Sequence, residues 1–192
     1  MGKVLLGMNA DTVFETERLI LRPFTGDDLD AVFERTSDPD VMLYQNCGTL
    51  TFEDTRTGLE RTIRAALETW PFAIRAIVVK ATNQNVGVCH LGPCHRLEGH
   101  PIEISYSIVR ARWGNGYATE ASARLIQYGF ESLDLAEIIA AVNPKNGASA
   151  RVAEKLGLSV REKVEWPKQG LVDLYTITKE AYADWRRACS NT

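Results

Sequence analysis

The sequence has little of what would make a metalloprotein, a disulfide scaffold, a membrane protein or a nucleic-acid binder. Only three histidines and four cysteines are spread over its 192 residues. Cys47, Cys89, Cys94 and Cys189 form no paired framework, which fits a reducing compartment. Cys89-His90 and Cys94-His95, with His100 nearby, do gather zinc-competent side chains. Neighbouring strand residues point to opposite faces, however, and the spacing matches no common zinc knuckle. The expectation is therefore no metal, with these cysteines packed as small hydrophobes. No apolar run approaches the roughly 20 residues of a membrane span. The stretch Met1–Ala10 is too short in its apolar part for a secretory signal. That predicts a cytoplasmic protein whose residues 1–14 form a loose arm or an extra edge segment. With a net charge of −3 and no basic run, neither DNA nor an anionic membrane is an expected partner. There is no Gly-Lys-Ser/Thr for a P-loop, and no early G-x-G-x-x-G with an acidic residue about 20 positions on.

What is present suits one soluble α/β domain over 1–192, since 45% hydrophobic and 24% charged residues are ordinary for a globular chain. Alternation and capping signals predict a strand at 18–24 and a helix at 26–37 capped by Thr25 with Asp28 three residues on. A short helical segment runs from Pro39 to about Tyr44. A helix over 52–69 is capped by Thr51. Strands at 72–80 and 86–90 flank the turn Thr82-Asn83-Gln84-Asn85. A strand at 102–109, a helix at 116–131, a strand at 136–142 and a helix at 146–155 follow. Two more strands, near 158–165 and 171–178, precede a tail helix around 180–188.

The most informative stretch joins the 102–109 strand to the next helix: Arg112-Trp113-Gly114-Asn115-Gly116-Tyr117-Ala118-Thr119-Glu120. Two glycines let backbone amides turn toward one point. A helix N-terminus there offers unpaired N–H groups and a positive dipole end, a setting for phosphate or pyrophosphate. Taken alone, the same turn would also serve as a plain strand-to-helix corner.

A second segment gives the turn its meaning. The buried-strand run Leu135–Val142 leads into Asn143-Pro144-Lys145-Asn146-Gly147-Ala148-Ser149 and then a helix ending Leu156-Gly157-Leu158. Asn146 is placed to cap that helix, and Gly157 falls where a left-handed C-cap is expected. Together with Thr16–Phe24, Asn85–Val88 and Asp173–Glu180, these pieces resemble the GNAT superfamily of acetyl-CoA-dependent N-acetyltransferases. The likeness runs from about residue 15 to 185. It is greatest to the branch of ribosomal-protein N-terminal acetyltransferases.

The resemblance implies an α/β (α+β) fold with a mixed, mostly antiparallel sheet, splayed at the cofactor site, with helices on both faces. It implies acetyl-CoA as donor and transfer by direct attack in a ternary complex. Backbone groups of Ser107, Ile108, Val109 and Arg110 would hold the pantetheine arm and supply an oxyanion donor. The amides of Gly114, Asn115, Gly116, Tyr117, Ala118 and Thr119 would cradle the pyrophosphate beside Arg112. Trp113 stands where the family usually has Gln or Arg. Asn143 and Asn146 match asparagines that bond the pantetheine and order the loop. Ser149 or a water would protonate the leaving thiolate, because the position of the tyrosine used by many GNAT enzymes is Ala153. A thiolate with a pKa near ~8.5 needs little help. Glu103 is the expected general base. An α-amine with a pKa near ~8 is already partly neutral at physiological pH, so a base acting through water suffices. Tyr106, Tyr128, Trp166 and Asp173 are candidates for the acceptor pocket.

The acceptor is left open between a protein N-terminus, as the branch suggests, and a small amine such as a polyamine, an aminoglycoside or an amino acid. The resemblance also allows a homodimer, which the residues do not decide. From other classes, a non-catalytic acyl-CoA sensor or scaffold would keep the turn without acetyl transfer, and a metal-binding regulatory domain built on Cys89–His100 ranks last.

Overall fold

The computed structural model describes residues 11–68 and 71–190. The elements in chain order are β1 (Phe14–Glu15), β2 (Leu19–Arg22), α1 (Leu29–Ser37), α2 (Pro39–Met42), α3 (Phe52–Glu68), β3 (Ala73–Val79), β4 (Gln84–Pro93), β5 (Ile102–Ile108), α4 (Tyr117–Glu131), β6 (Glu137–Val142), α5 (Gly147–Lys155), β7 (Ser159–Trp166), β8 (Gly170–Thr178) and α6 (Lys179–Ser190). The eight strands form one sheet in the order β1-β2-β3-β4-β5-β6-β8-β7. Every neighbouring pair is antiparallel except β5–β6. That pair is parallel because α4 carries the chain back across the sheet before β6 begins, the connection that parallel strands require.

Side-chain alternation sorts the strands between two helical layers. On one face Ile77, Leu91, Ile104 and Ile108 pack with Ala121, Leu125 and Ile126 of α4 and with Ala153 and Leu156 around α5. On the other, Ala76 and Val78 pack with Val32 of α1 and Leu59 of α3. Helices thus cover both faces of a mixed, mostly antiparallel sheet, as expected.

The caps follow their local chemistry. The Asp54 N–H donates to Thr51 Oγ1 at 3.1 Å at the start of α3, and the Ser149 N–H donates to Asn146 Oδ1 at 3.1 Å at the start of α5. Gly157 takes φ +82° after α5, the left-handed conformation that closes a helix. Before α1, the Asp28 carboxylate accepts from the Thr25 N–H at 2.8 Å, from both Arg22 Nη atoms and from Asn85 Nδ2. That ties β2, α1 and the start of β4 around one buried carboxylate.

Some boundaries differ from expectation. β4 continues to Pro93 instead of stopping near His90, because Leu91–Pro93 pair with Ile102–Ile104. α2 ends at Met42, short of Tyr44. Within the expected arm, Phe14 is buried in the edge strand β1 with its ring 4.8 Å from that of Tyr128. Met1–Ala10 lies outside the described residues. No helix among the described residues is long and apolar enough to cross a membrane.

Gly87 of β4 lets β5 approach closely: a Cβ there would sit 2.3 Å from Ser107 O and 2.8 Å from Ile108 Cδ1. We expect Gly87→Ala to lower the unfolding free energy by about 2–3 kcal/mol, as overpacking against backbone does. Urea denaturation measures this, and an unchanged midpoint would show that β5 yields freely.

Candidate active site at the split between two strands

The parallel pair β5–β6 is held by a single register pair, Glu103 with Ile139. Beyond it the two strands diverge, so the rest of β5 lacks a strand partner on that side. On its other side β5 is paired with β4 as far as Ile108, and the Val109 N–H donates to Val86 O at 2.9 Å. By antiparallel alternation, the N–H and C=O of Ile108 then face the split. The carbonyl is occupied: Trp113 Nε1 donates to Ile108 O at 2.8 Å, while the ring stays half exposed. Of the backbone groups expected to receive a pantetheine arm, the Ile108 carbonyl is therefore engaged by the chain itself, while the Ile108 N–H faces the split. The Arg110 guanidinium is directed away to Asp38 and Asp40.

The turn leading into α4 has the form its glycines allow. Gly114 and Gly116 sit at φ +78° and +80°, and Gly116 is the N-cap of α4. The Asn115 side chain braces the turn by donating to Arg112 O and Trp113 O. Among the described residues, the amides from Gly114 to Thr119 have no backbone acceptor; the first bonded amide is Glu120, to Gly116 O at 3.0 Å. These converging donors at a helix N-terminus suit an anion with several oxygens. The Arg112 guanidinium donates to Gln84 Oε1 of β4 at 2.7 Å.

Across the split, Asn143 orders the β6–α5 loop: its Oδ1 accepts from the Lys145 N–H at 3.0 Å, and its Nδ2 donates to Gln169 Oε1 at 3.2 Å. Ser149, in the first turn of α5, meets Tyr106 of β5. The Tyr106 hydroxyl donates to Ser149 O at 3.0 Å and shares a hydrogen bond with Ser149 Oγ at 2.9 Å. Burial pushes the Tyr106 phenol up to about 12, so it stays a proton donor at neutral pH.

Glu103 and Ser149 reach the split from opposite faces of the sheet and line one cavity of about 270 Å³. Glu103 is largely desolvated, which raises its pKa. The Cys94 thiol, the Arg96 charge and the Ala141 backbone N–H oppose that shift in part. Arg96 and Trp166 also line the cavity, the guanidinium carbon lying 5.5 Å from the centre of the indole ring. Residues 44–47 close one side and are tied to the β7–β8 turn, where Gln169 Nε2 donates to Tyr44 O at 2.8 Å, and to the β6–α5 loop, where Tyr44 Oη donates to Lys145 O at 3.1 Å.

Two of the expected pocket residues lie elsewhere. Tyr128 is fully buried under the sheet, its hydroxyl donating to Pro71 O, because its helical position turns it into the core. Asp173 is absent from the cavity wall and pairs with Lys163 across the β7–β8 hairpin. Conversely, Tyr44, Arg96 and Gln169 gave no signal in the sequence, since all three sit in loops brought together only by the tertiary fold. Cys89 and Cys94 are buried, and no group of three metal-capable side chains occurs among the described residues. A larger groove of about 890 Å³, lined by Phe130, Leu135 and Tyr182, lies at the far end of α4, away from both the turn and the split.

Comparison with known proteins agrees with this geometry. The acetyltransferase (GNAT) domain family matches residues 18–159. The chain belongs to the GNAT acetyltransferase family. It is 33% identical over 174 residues to the uncharacterized N-acetyltransferase p20 of Bacillus licheniformis, covering 88% of this chain and 97% of that one. A GNAT-family acetyltransferase structure from Bacillus anthracis is similar at 31% identity and TM-score 0.75, over 88% of this chain and 99% of the other. A ribosomal-protein-S5-alanine acetyltransferase structure from Vibrio fischeri shares the fold at TM-score 0.71 and 18% identity, over 90% of this chain and 99% of that one. This GNAT chain is an acetyl-CoA-dependent acetyltransferase, with acetyl-CoA as the acetyl donor. The unbonded amides of the turn fit the donor's pyrophosphate.

The raised pKa of Glu103 has a consequence for stability. Folding favours its protonated form, so that contribution is complete below the unfolded carboxylate range and is lost as pH rises through the raised folded value. Glu103→Gln should therefore melt higher than the parent protein at neutral pH. The difference should shrink as pH falls toward the ordinary carboxylate range. Paired melting curves across pH check this, and a variant less stable at every pH would contradict it.

Proposed function

We propose that the chain acetylates a small primary amine that enters the cavity beside Glu103. The observation that carries this reading is the convergence of Glu103, Tyr106 and Ser149 on one cavity, at the place where β5 and β6 part. The cavity's size supports a small acceptor, since about 270 Å³ is below the roughly 300–1,000 Å³ of sites for drug-sized ligands. The cross-ties from Gln169 and Tyr44 also narrow the side by which a folded protein would have to deliver its N-terminus. The alternative acceptor, a protein N-terminal α-amine, rests on likeness to ribosomal-protein acetyltransferases that extends to the fold.

Acetyl-CoA supplies an activated acyl group as its thioester. The amides from Gly114 to Thr119 hold the pyrophosphate, and the Ile108 N–H lies where a donor in the split would meet the acyl oxygen as it gains charge. Glu103, ionised above its raised pKa, takes a proton from the amine directly or through a water. The amine nitrogen bonds to the acyl carbon as the carbon–sulfur bond breaks. Ser149, hydrogen-bonded to the Tyr106 phenol, delivers a proton to the departing sulfur.

Loss of thioester absorbance, measured over a panel of small amines and short peptides, tests the reading. Turnover should appear on small amines, and Glu103→Gln should lower kcat by about 10²- to 10⁴-fold, the range for losing a general base. The acid limb of the parent's pH profile should lie above the ordinary carboxylate range and vanish in the variant. Turnover confined to peptide N-termini would overturn the small-amine assignment, and an unchanged kcat would remove Glu103 from its role. Ser149→Ala should cost less, roughly 10-fold or below, because a thiolate with a pKa near ~8.5 is a competent leaving group near neutral pH.

A further inference from the structure

The charges lining the cavity are few and opposed. Among the described residues, the only carboxylate on its wall is Glu103 and the only guanidinium or ammonium group is Arg96; the amide and serine side chains beside them, Gln45, Asn46, Ser105 and Gln169 among them, are neutral. Arg96 is exposed and has no carboxylate within salt-bridge distance among the described residues. Its direct contacts are neutral, the Trp166 ring and, with the Asn46 amide turned so that its oxygen faces the guanidinium, Asn46 Oδ1 at 3.2 Å from Arg96 Nε, while its charge acts on Glu103 through space. In the opposite orientation that oxygen accepts from Gln169 Nε2 instead. A guanidinium stacked on an indole ring is held flat, ready to take a planar anion through two parallel N–H donors.

A wall with one carboxylate and one separate guanidinium is a poor match for a polycation. A polyamine or an aminoglycoside brings several ammonium groups, which would meet one acid and one like charge here. A zwitterion matches both ends. We propose that the acceptor is a small amino acid or a close analogue, its carboxylate held by Arg96 over Trp166 and its α-amine directed to Glu103. This rests on the small-amine reading above and narrows it to one chemical class. Arg96 is in this account a specificity residue that touches the acceptor and takes no part in moving protons. The desolvation of Glu103 fits the same picture, because an approaching ammonium favours the ionised carboxylate and then gives up its proton to it.

The test compares three acceptors of one side chain, an α-amino acid, its carboxamide and its decarboxylated amine, in the parent protein and in Arg96→Gln. A hydrogen-bonded charge pair of this kind is worth about 10- to 100-fold in affinity. The parent should therefore prefer the amino acid over the decarboxylated amine by at least about 10-fold in kcat/KM. In Arg96→Gln that ratio should fall toward one, mainly through KM of the amino acid, and Arg96→Lys should restore part of it. A parent that prefers the decarboxylated amine, or a ratio unmoved in the variant, overturns the proposal while leaving small-amine acetylation standing. If no amine turns over at all, the small-amine reading itself fails. Calorimetric titration of the amino acid into the protein saturated with coenzyme A then decides the carboxylate site separately. Binding that weakens about 10-fold or more in Arg96→Gln upholds the site, and binding that is absent or unaffected removes it.

Discussion

The site depends on one constraint: a parallel strand pair that closes at Glu103–Ile139 and then cannot stay closed. The antiparallel pairs on either side of it, β4 with β5 and β6 with β8, each run in continuous register over six or more positions. β5 and β6 belong to these two ladders, and the split is the seam between them. Backbone groups along a seam of this kind need partners from elsewhere, since an unpaired buried amide or carbonyl is costly. The chain answers for one of them, the Ile108 carbonyl, with the Trp113 indole.

The same seam lets the two faces of the sheet act on one point. Glu103 and Ser149 stand on opposite faces, and in a continuous sheet the strand backbone would separate them. Because the strands part, both reach one cavity. Their surroundings differ in kind. Glu103 is desolvated and made reluctant to ionise, which costs stability at neutral pH and leaves a carboxylate of raised pKa. Tyr106 and Ser149 are mutually hydrogen-bonded and kept as neutral donors. A proton acceptor and a proton donor flanking one gap suit a transfer in which an amine loses a proton and a sulfur gains one.

Much of this was legible in the sequence where the signal is local. Gly114 and Gly116 announced a turn that brings amides toward one point, Asn146 a capped helix, and Gly157 a left-handed helix end; each is decided within a few residues of itself. Strand alternation along β5 puts Glu103, Ser105 and Ser107 on one face and Ile104, Tyr106 and Ile108 on the other. What could not be read was which distant side chains meet. Tyr128 looked available for a pocket, yet helical geometry buries it in the core against Phe14. Asp173 was drawn off by Lys163 on the adjoining strand. Arg96, Tyr44 and Gln169 sit in three separate loops, 123 residues bridging Asn46 to Gln169 alone, and no pattern along the chain marks contacts at that separation.

The central claim is that the seam between β5 and β6 receives the acetyl donor. The most direct measurement is an amide proton–nitrogen spectrum followed through a titration with coenzyme A. The account predicts that the amides of Ile108, of Gly114 to Thr119 and of the loop around Asn146 shift first and furthest, with the Trp113 indole N–H following the strand it braces. Shifts confined instead to the groove beside Phe130, Leu135 and Tyr182, with the Gly114–Thr119 turn silent, would contradict it.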